Sequence, residues 1–498
     1  MSDLLPFLVA APIAFSVAAL LVGIARSGTG WYVALAAMGL QTAIAGVLAV
    51  RAFTTGTIRY VVGGFEVPFG IELVVDGLSA SMLVLVAVVG LGVLAYARQA
   101  GPRSNPFYAT YLLLVAGLSG MCLTGDVFNM YVFLEIVGLT AYALVASGDS
   151  GRSAVAALKY LIVGTVGASL FLLGVGYAYI ATGTLNMADL AVKLADVGYT
   201  STLVQTAFAF VVIGLFIKVA VFPLHTWQPE AYAGAPDSVS GLISALVSTV
   251  SAYALVRVVL DVFTPSFLAA NPLARDLLAA GAMVSIVAGS VLAVAQSEIK
   301  RMLAYSSVSQ FGLVLGALAV TNGTALVGAA VHLFGHAVMK GGLFLTAGLI
   351  GTGSGGRTLD GYDGLGERMP VASAAFAVLA FAMVGVPPAV GFMGKWYIAL
   401  GAVEGQLWPL AAVILLSTLL TLAYFARLVE RMYFRDPAPA AASEASAEAE
   451  AAVVTDGGRV SLGMYAAVVA AALLAVVLGL AVAQYGQLLE PTVQALLS

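Results

Sequence analysis

Apolar stretches of about 20 residues recur along almost the whole chain, and this repetition limits its possible folds more than any other feature. A helix crossing a bilayer needs about 20 mainly apolar residues. Such stretches fall near residues 4–25, 32–50, 78–97, 107–123, 127–147, 154–182, 202–222, 238–260, 277–296, 302–320, 325–350, 371–399, 406–428 and 461–484. Hydrocarbon offers the backbone no hydrogen bonds, so spanning segments must be helices or a closed barrel. A barrel would show short alternating strands instead. The expectation is an all-α polytopic membrane protein with about 14 transmembrane helices. Charge supports this: 9% of the 498 residues are charged and 61% are hydrophobic, whereas a soluble domain carries about 25% charged residues. So few charges could not cover a soluble surface. A soluble enzyme, a nucleic-acid-binding protein and a disordered scaffold are excluded.

Two stretches break the pattern. Residues 52–76 alternate short runs of Thr, Val, Tyr and Gly and read as an extended or hairpin loop. Residues 436–459 are rich in Ala, Ser and Glu and read as an acidic linker ahead of an appended last helix. The start, Met1-Ser-Asp-Leu-Leu-Pro, has no basic residue before its apolar run and reads as the first span, not a secretory signal. The single cysteine, Cys122, excludes an intrachain disulfide and any cysteine-ligated cluster. Loops after even-numbered spans carry five basic residues: Arg51, Arg59, Lys193, Arg257 and Arg275. The opposite loops carry twelve. By the positive-inside rule this bias places both termini outside a cell membrane.

The remaining ionisable residues lie inside spans, where a charge costs roughly 2.5–3.5 kcal/mol. They are functional, paired or beside water. The fifth span carries Glu135 in Phe-Asn-Met-Tyr-Val-Phe-Leu-Glu-Ile, which reads as a titrating acid or as a packing hydrogen-bond acceptor. The seventh carries Lys218, five residues before Pro223, with His225 just beyond. Proline breaks a helix, and a broken helix at membrane depth exposes polar groups that handle ions. Snorkelling is the alternative for Lys218, a helix-end cap that for His225. The eleventh carries His332, His336 and Lys340 in steps of four. These share one stripe, since each step turns only about 40°, and they span about 12 Å. Histidine passes protons near neutral pH. Two histidines could also hold zinc, but no third ligand is nearby, so no metal is expected. The twelfth carries Lys395 just after Pro387-Pro388. Paired proline interruptions, each with a buried lysine, point to an inverted-repeat transporter. Lys159, Lys300 and Arg301 read as interfacial anchors. The loop Gly351-Thr-Gly-Ser-Gly-Gly356 reads as flexible, not as a nucleotide cradle, and no cofactor is expected.

These motifs together resemble the antiporter-like subunits shared by Mrp-type Na+/H+ antiporters, respiratory complex I and membrane-bound hydrogenases. The resemblance covers roughly residues 70–435. It rests on Tyr131-Val-Phe-Leu-Glu135, Lys218 with Phe222-Pro-Leu-His-Thr-Trp227, Ser297-Glu-Ile-Lys-Arg-Met-Leu-Ala-Tyr-Ser-Ser307 and His332-xxx-His336-xxx-Lys340. The segment from Gly391 to Glu404 is most similar to the D-type subunits of the Mrp complexes.

The resemblance implies two inverted five-helix repeats, spans 4–8 (residues 107–262) and 9–13 (residues 275–435), each with a Pro-broken helix. Helices 1–2 with their loop (1–76) and helix 3 with a linker (77–106) come before. The acidic linker (436–459) and the last helix (460–498) follow. It implies a Glu135–Lys218 pair and a hydrophilic axis through the histidines to Lys395. The other membrane subunits of one hetero-oligomeric complex are the implied partners, with protons and Na+ as cargo. The sequence departs from the family at the eighth span, where Thr249 stands in place of the usual lysine. Threonine cannot hold a charge, so a relay from Lys218 to the eleventh span must lean on Thr249, Ser248, Ser251 and water. The leading expectation is the proton-translocating subunit of a Na+/H+ antiporter. The second is a membrane-arm subunit of a proton-pumping NADH dehydrogenase or membrane hydrogenase. The third is a structural subunit with a vestigial proton path. In none of these is the chain an enzyme by itself.

Overall fold

The computed structural model describes residues 2–436 and 460–497. The expected acidic linker therefore lies, except for its first residue, outside the described residues. The described chain is almost entirely helical, in order α1 (Phe7–Ala25), α2 (Gly30–Thr55), α3 (Gly77–Ala100), α4 (Asn105–Leu123), α5 (Val127–Ala146), α6 (Gly151–Thr182), α7 (Met187–Val197), α8 (Thr202–Val219), α9 (Trp227–Gly234), α10 (Asp237–Val262), α11 (Pro272–Val294), α12 (Ile299–Val320), α13 (Gly323–Ser354), α14 (Pro370–Val384), α15 (Val390–Glu404), α16 (Trp408–Phe434), α17 (Leu462–Leu480) and α18 (Val482–Leu497). Thirteen of the described helices are long and apolar enough to span a membrane. The expected twelfth span is two half-helices, α14 and α15.

Short polar residues start many of these helices. Asp76, Ser104, Asp126, Ser150, Asn322 and Ser461 each accept a hydrogen bond from a backbone N–H of the first turn. Those first-turn donors have no partner within the helix. The loop 52–76 forms a hairpin, in which β1 (Ile58–Val61) pairs antiparallel with β2 (Glu72–Val75) and Ile58 lies opposite Val75.

The core runs through α10, buried except at Asp237 and Asp261 near its ends, with α12 and α13 beside it. Small residues allow the close approach. A Cβ on Gly328 would sit 2.7 Å from the Ile398 nitrogen, and one on Gly394 would sit 2.9 Å from the His332 Cα. This seats α15 directly on α13, as small residues do where lipid supplies no hydrophobic drive between helices.

Several expectations are corrected. Arg257 is not a loop residue; it lies inside α10, buried and paired with Asp76 and Asp261. Lys300 is not an exposed anchor. Its Nζ donates to the Ala235 carbonyl at 2.7 Å and to Asp237 Oδ1 at 2.9 Å. Residues Gly351–Ser354 are not a loop but the last turn of α13, ending at a left-handed Gly355. Arg357 folds back to pair with Asp237 at 3.2 Å. The Asp237 carboxylate raises the Arg357 guanidinium above its ordinary range. Among the described helices longer than ten residues, two were not foreseen. In α7, Met187, Leu190 and Leu194 are buried, while Asp189 and Lys193 pair at 3.0 Å on the polar side. The other, α18, turns back against α3 and α13.

Candidate ion-translocation site

The two lysines Lys218 and Lys395 sit at helix interruptions, and Glu135 and the histidines on continuous helices. On α5, Glu135, Gly138 and Tyr142 fall at i, i+3 and i+7 and so share a face. Lys218 occupies the last turn of α8, where Ala220 takes a left-handed conformation and the helix stops. Its Nζ lies 3.9 Å from Glu135 Oε1 and donates to the Tyr142 hydroxyl at 3.3 Å. Gly138 makes room, since a Cβ there would lie 3.3 Å from that Nζ. The Glu135 side chain is 24% exposed, the Lys218 side chain 7%. At 3.9 Å the pair attracts but is not hydrogen-bonded, and Glu135 Oε1 is buried without a hydrogen-bond partner. The attraction is about 4 kcal/mol at an effective dielectric constant near 20. Such a pair can close or part without first breaking a hydrogen bond between its members.

Beyond Lys218 the helix interruption is held by side chains. The Trp227 indole donates to the Ile217 carbonyl at 2.8 Å, and Ser285 on α11 accepts from the Phe222 N–H at 3.2 Å. His225 stacks on Phe222 with ring centroids 5.1 Å apart and faces Tyr305 at 5.8 Å. Its Nδ1 is buried without a well-formed hydrogen bond. Tyr142, Tyr160, Trp227 and Tyr232 form a continuous run of ring contacts leading from Lys218 to α10. There the Tyr232 hydroxyl meets Ser248 Oγ at 2.7 Å, and Gln228 Nε2 reaches Ser248 at 3.3 Å. Ser251 bonds instead to its own helix, at the Val247 carbonyl. Thr249 Oγ1 is fully buried and has no hydrogen-bond partner among the described residues.

His332 and His336 lie on α13 with ring centroids 6.3 Å apart. All four ring nitrogens are buried without a well-formed hydrogen bond. Buried polar atoms normally have partners, so four such nitrogens on one helix stripe mark an unusual site. Lys340 donates to the Leu303 carbonyl at 2.9 Å. Lys395 donates to the Met383 and Val384 carbonyls at 2.8 and 3.0 Å. Those are terminal carbonyls of α14, which lack helical partners and form the negative end of the helix dipole. The half-helix end thus gives Lys395 two hydrogen bonds and a partial negative charge, where Lys218 faces a full carboxylate at 3.9 Å.

The structure therefore brings Glu135 and Lys218 together, and sets Lys395 one residue from Gly394, which packs on His332. It places Thr249 on α10, next to Ser248. Sequence reasoning missed Tyr142, Tyr232, Gln228 and Ser285. Only Tyr142 carried a local signal, its seven-residue spacing from Glu135. The others act across helices far apart in sequence.

The chain is similar to known membrane-complex subunits over most of its length. The NADH:quinone oxidoreductase/Mrp antiporter transmembrane family matches residues 124–421. The chain is 46% identical over 435 residues, 86% of each chain, to the N-type subunit of the NADH-quinone oxidoreductase of Desulforudis audaxviator. It is 34% identical over 390 residues, 78% of each, to the D-type Na+/H+ antiporter subunit of Bacillus subtilis. In the solved structure of the membrane-bound sulfane sulfur reductase, an archaeal respiratory membrane complex, one chain superposes with a TM-score of 0.88 at 31% identity, covering 99% of this chain and 98% of that one. The chain belongs to the NADH:quinone oxidoreductase/Mrp antiporter transmembrane family.

Proposed function

We propose that this chain is a proton-translocating subunit of a multisubunit Na+/H+ antiporter, with both termini on the outer side of the cell membrane. The Glu135–Lys218 pair carries the reading. Its members are close enough to attract and not bonded to one another, as a switch requires. A near carboxylate favours the charged ammonium, and burial disfavours it. With Glu135 close, Lys218 keeps its proton. As the pair parts, Lys218 yields the proton toward Thr249 and Ser248, then to His332, His336 and Lys340, and Lys395 passes it on. A partner subunit moves sodium in the opposite direction.

The test uses everted vesicles holding the whole native complex and a preset pH gradient, read with a fluorescent dye. Adding sodium without an electron donor collapses the gradient, and Glu135→Gln and Lys218→Ala each abolish the collapse. Unaltered transport in both variants sinks the proposal. The 46% identity to a protein named as a quinone oxidoreductase subunit favours a second reading, a membrane arm driven by redox chemistry elsewhere in the complex. Indifference to sodium, with acidification on adding a donor, selects that reading.

A further inference from the structure

A second polar region, unused by that path, lies at the other end of α10. Beneath the hairpin is a cavity of about 270 Å³, lined among others by Arg59, Glu72, Asp76, Tyr253, Arg257 and Asp261. Thr249, Tyr253, Arg257 and Asp261 follow one another at four-residue steps, so a polar stripe runs from the middle of α10 to its end beneath the hairpin. Contacts confirm that its outer members face one another. Arg257 Nε donates to the Tyr253 hydroxyl at 3.0 Å, and Arg257 reaches Asp261 at 3.1 Å. Its other nitrogen holds Asp76, the N-cap of α3. The Tyr253 hydroxyl in turn donates to the Cys122 carbonyl at 3.0 Å. Arg257 is thus a buried cation tying α10 to the start of α3. Such a group is expensive in a membrane and normally marks an ion route or a wet cavity. One turn beyond Tyr253, Thr249 Oγ1 is buried without a hydrogen-bond partner among the described residues. Thr249 is not among the residues lining the cavity, whereas Tyr253 and Arg257 are. In the stripe, Tyr253 and Arg257 stand between Thr249 and Asp261.

We propose that the cavity beneath the hairpin is a water-filled access chamber for protons, and that the Tyr253–Arg257 floor separates it from Thr249. The proposal rests on the reading of this chain as ion-translocating. It adds a route that joins the path at α10 and opens on the hairpin face. A proton entering there meets the carboxylates Glu72, Asp76 and Asp261 first. It reaches Thr249 only when Arg257 swings aside.

The test uses thiol accessibility in the assembled complex, with Cys122→Ser removing the native thiol. Val74 lines the cavity. In that background Val74→Cys is expected to react with a membrane-impermeant trimethylammonium methanethiosulfonate from the hairpin face only, seen by comparing right-side-out and inverted vesicles. Thr249→Cys is expected to be inert while the floor is intact. It reacts faster by about an order of magnitude from the same face once Arg257→Ala removes the group that excludes water from a polar site. Tyr253→Ala serves as the second floor variant should Arg257→Ala fail to assemble. No labelling of Val74→Cys from either face overturns the chamber. Labelling of Val74→Cys with Thr249→Cys inert in the floor variants overturns the route. Neither readout needs transport, so failure of the antiport reading is seen separately, in Glu135→Gln and Lys218→Ala.

Discussion

Tyr142 meets Lys218 through one hydroxyl, and two glycines make that contact possible. A Cβ on Gly164 would collide with the Tyr142 hydroxyl, and one on Gly138 would sit 3.0 Å from it. Gly164→Ala should therefore push Tyr142 away from Lys218, at a packing cost of about 1–3 kcal/mol. The expected result is slower sodium-dependent collapse of the pH gradient with the complex still assembled. Tyr142→Phe should relieve the clash and restore assembly stability to the Gly164→Ala variant, though not the hydrogen bond to Lys218. A double variant no more stable than Gly164→Ala alone would show that the hydroxyl is not what the alanine displaces. At this scale much was legible. Glu135, Lys218, the histidines and Lys395 stood out because a charge or an imidazole in an apolar run is costly and therefore conspicuous. Tyr142 and Ser285 did not stand out, because a tyrosine or serine in a membrane helix is ordinary until its partner is known.

The two interrupted helices show how an element rather than a residue neutralises charge. At the α14–α15 interruption Lys395 satisfies two terminal carbonyls. At the α8–α9 interruption Ser285 takes the Phe222 N–H and itself donates to the Val308 carbonyl at 3.0 Å. Ser285→Ala leaves the Phe222 N–H short of a partner, at about 1–3 kcal/mol, while the Val308 carbonyl, inside α12, keeps its helical one. The purified complex should unfold several degrees lower in a thermal ramp, since about 1 kcal/mol moves the midpoint of a large domain by roughly 2–4 °C. An unchanged midpoint would mean the interruption is held by Trp227 alone. The prolines announced both interruptions in the sequence. The amphipathic α7 and the returning α18 escaped notice because they cover the protein rather than cross the bilayer, and so lack a 20-residue apolar run.

For the molecule as a whole, one buried acid links the two halves on the face opposite the hairpin. Asp237, at the start of α10, accepts from Lys300 at the start of α12 and from Arg357 just after α13. Breaking a buried ion pair from one side strands the other charge, at about 3–5 kcal/mol. Asp237→Asn strands Lys300, which is buried, while Arg357, with 37% of its side chain exposed, keeps water as a partner. It should sharply lower recovery of intact complex from detergent, measured by size-exclusion chromatography, whereas exposed Arg275→Gln should not. Equal recovery would show that the network is incidental. By itself the sequence determined the class of fold, the number and rough place of the spans, both helix interruptions and which ionisable residues lie inside spans. All of these follow from local free energies, of apolar runs in lipid, of proline in a helix and of charge in hydrocarbon. Only the tertiary structure decided that Arg257 and Lys300 are buried and paired, that Tyr232 and Gln228 meet Ser248, and that a cavity opens beneath the hairpin. Those depend on which helix faces which, and in a chain apolar on nearly every face no local pattern fixes that choice.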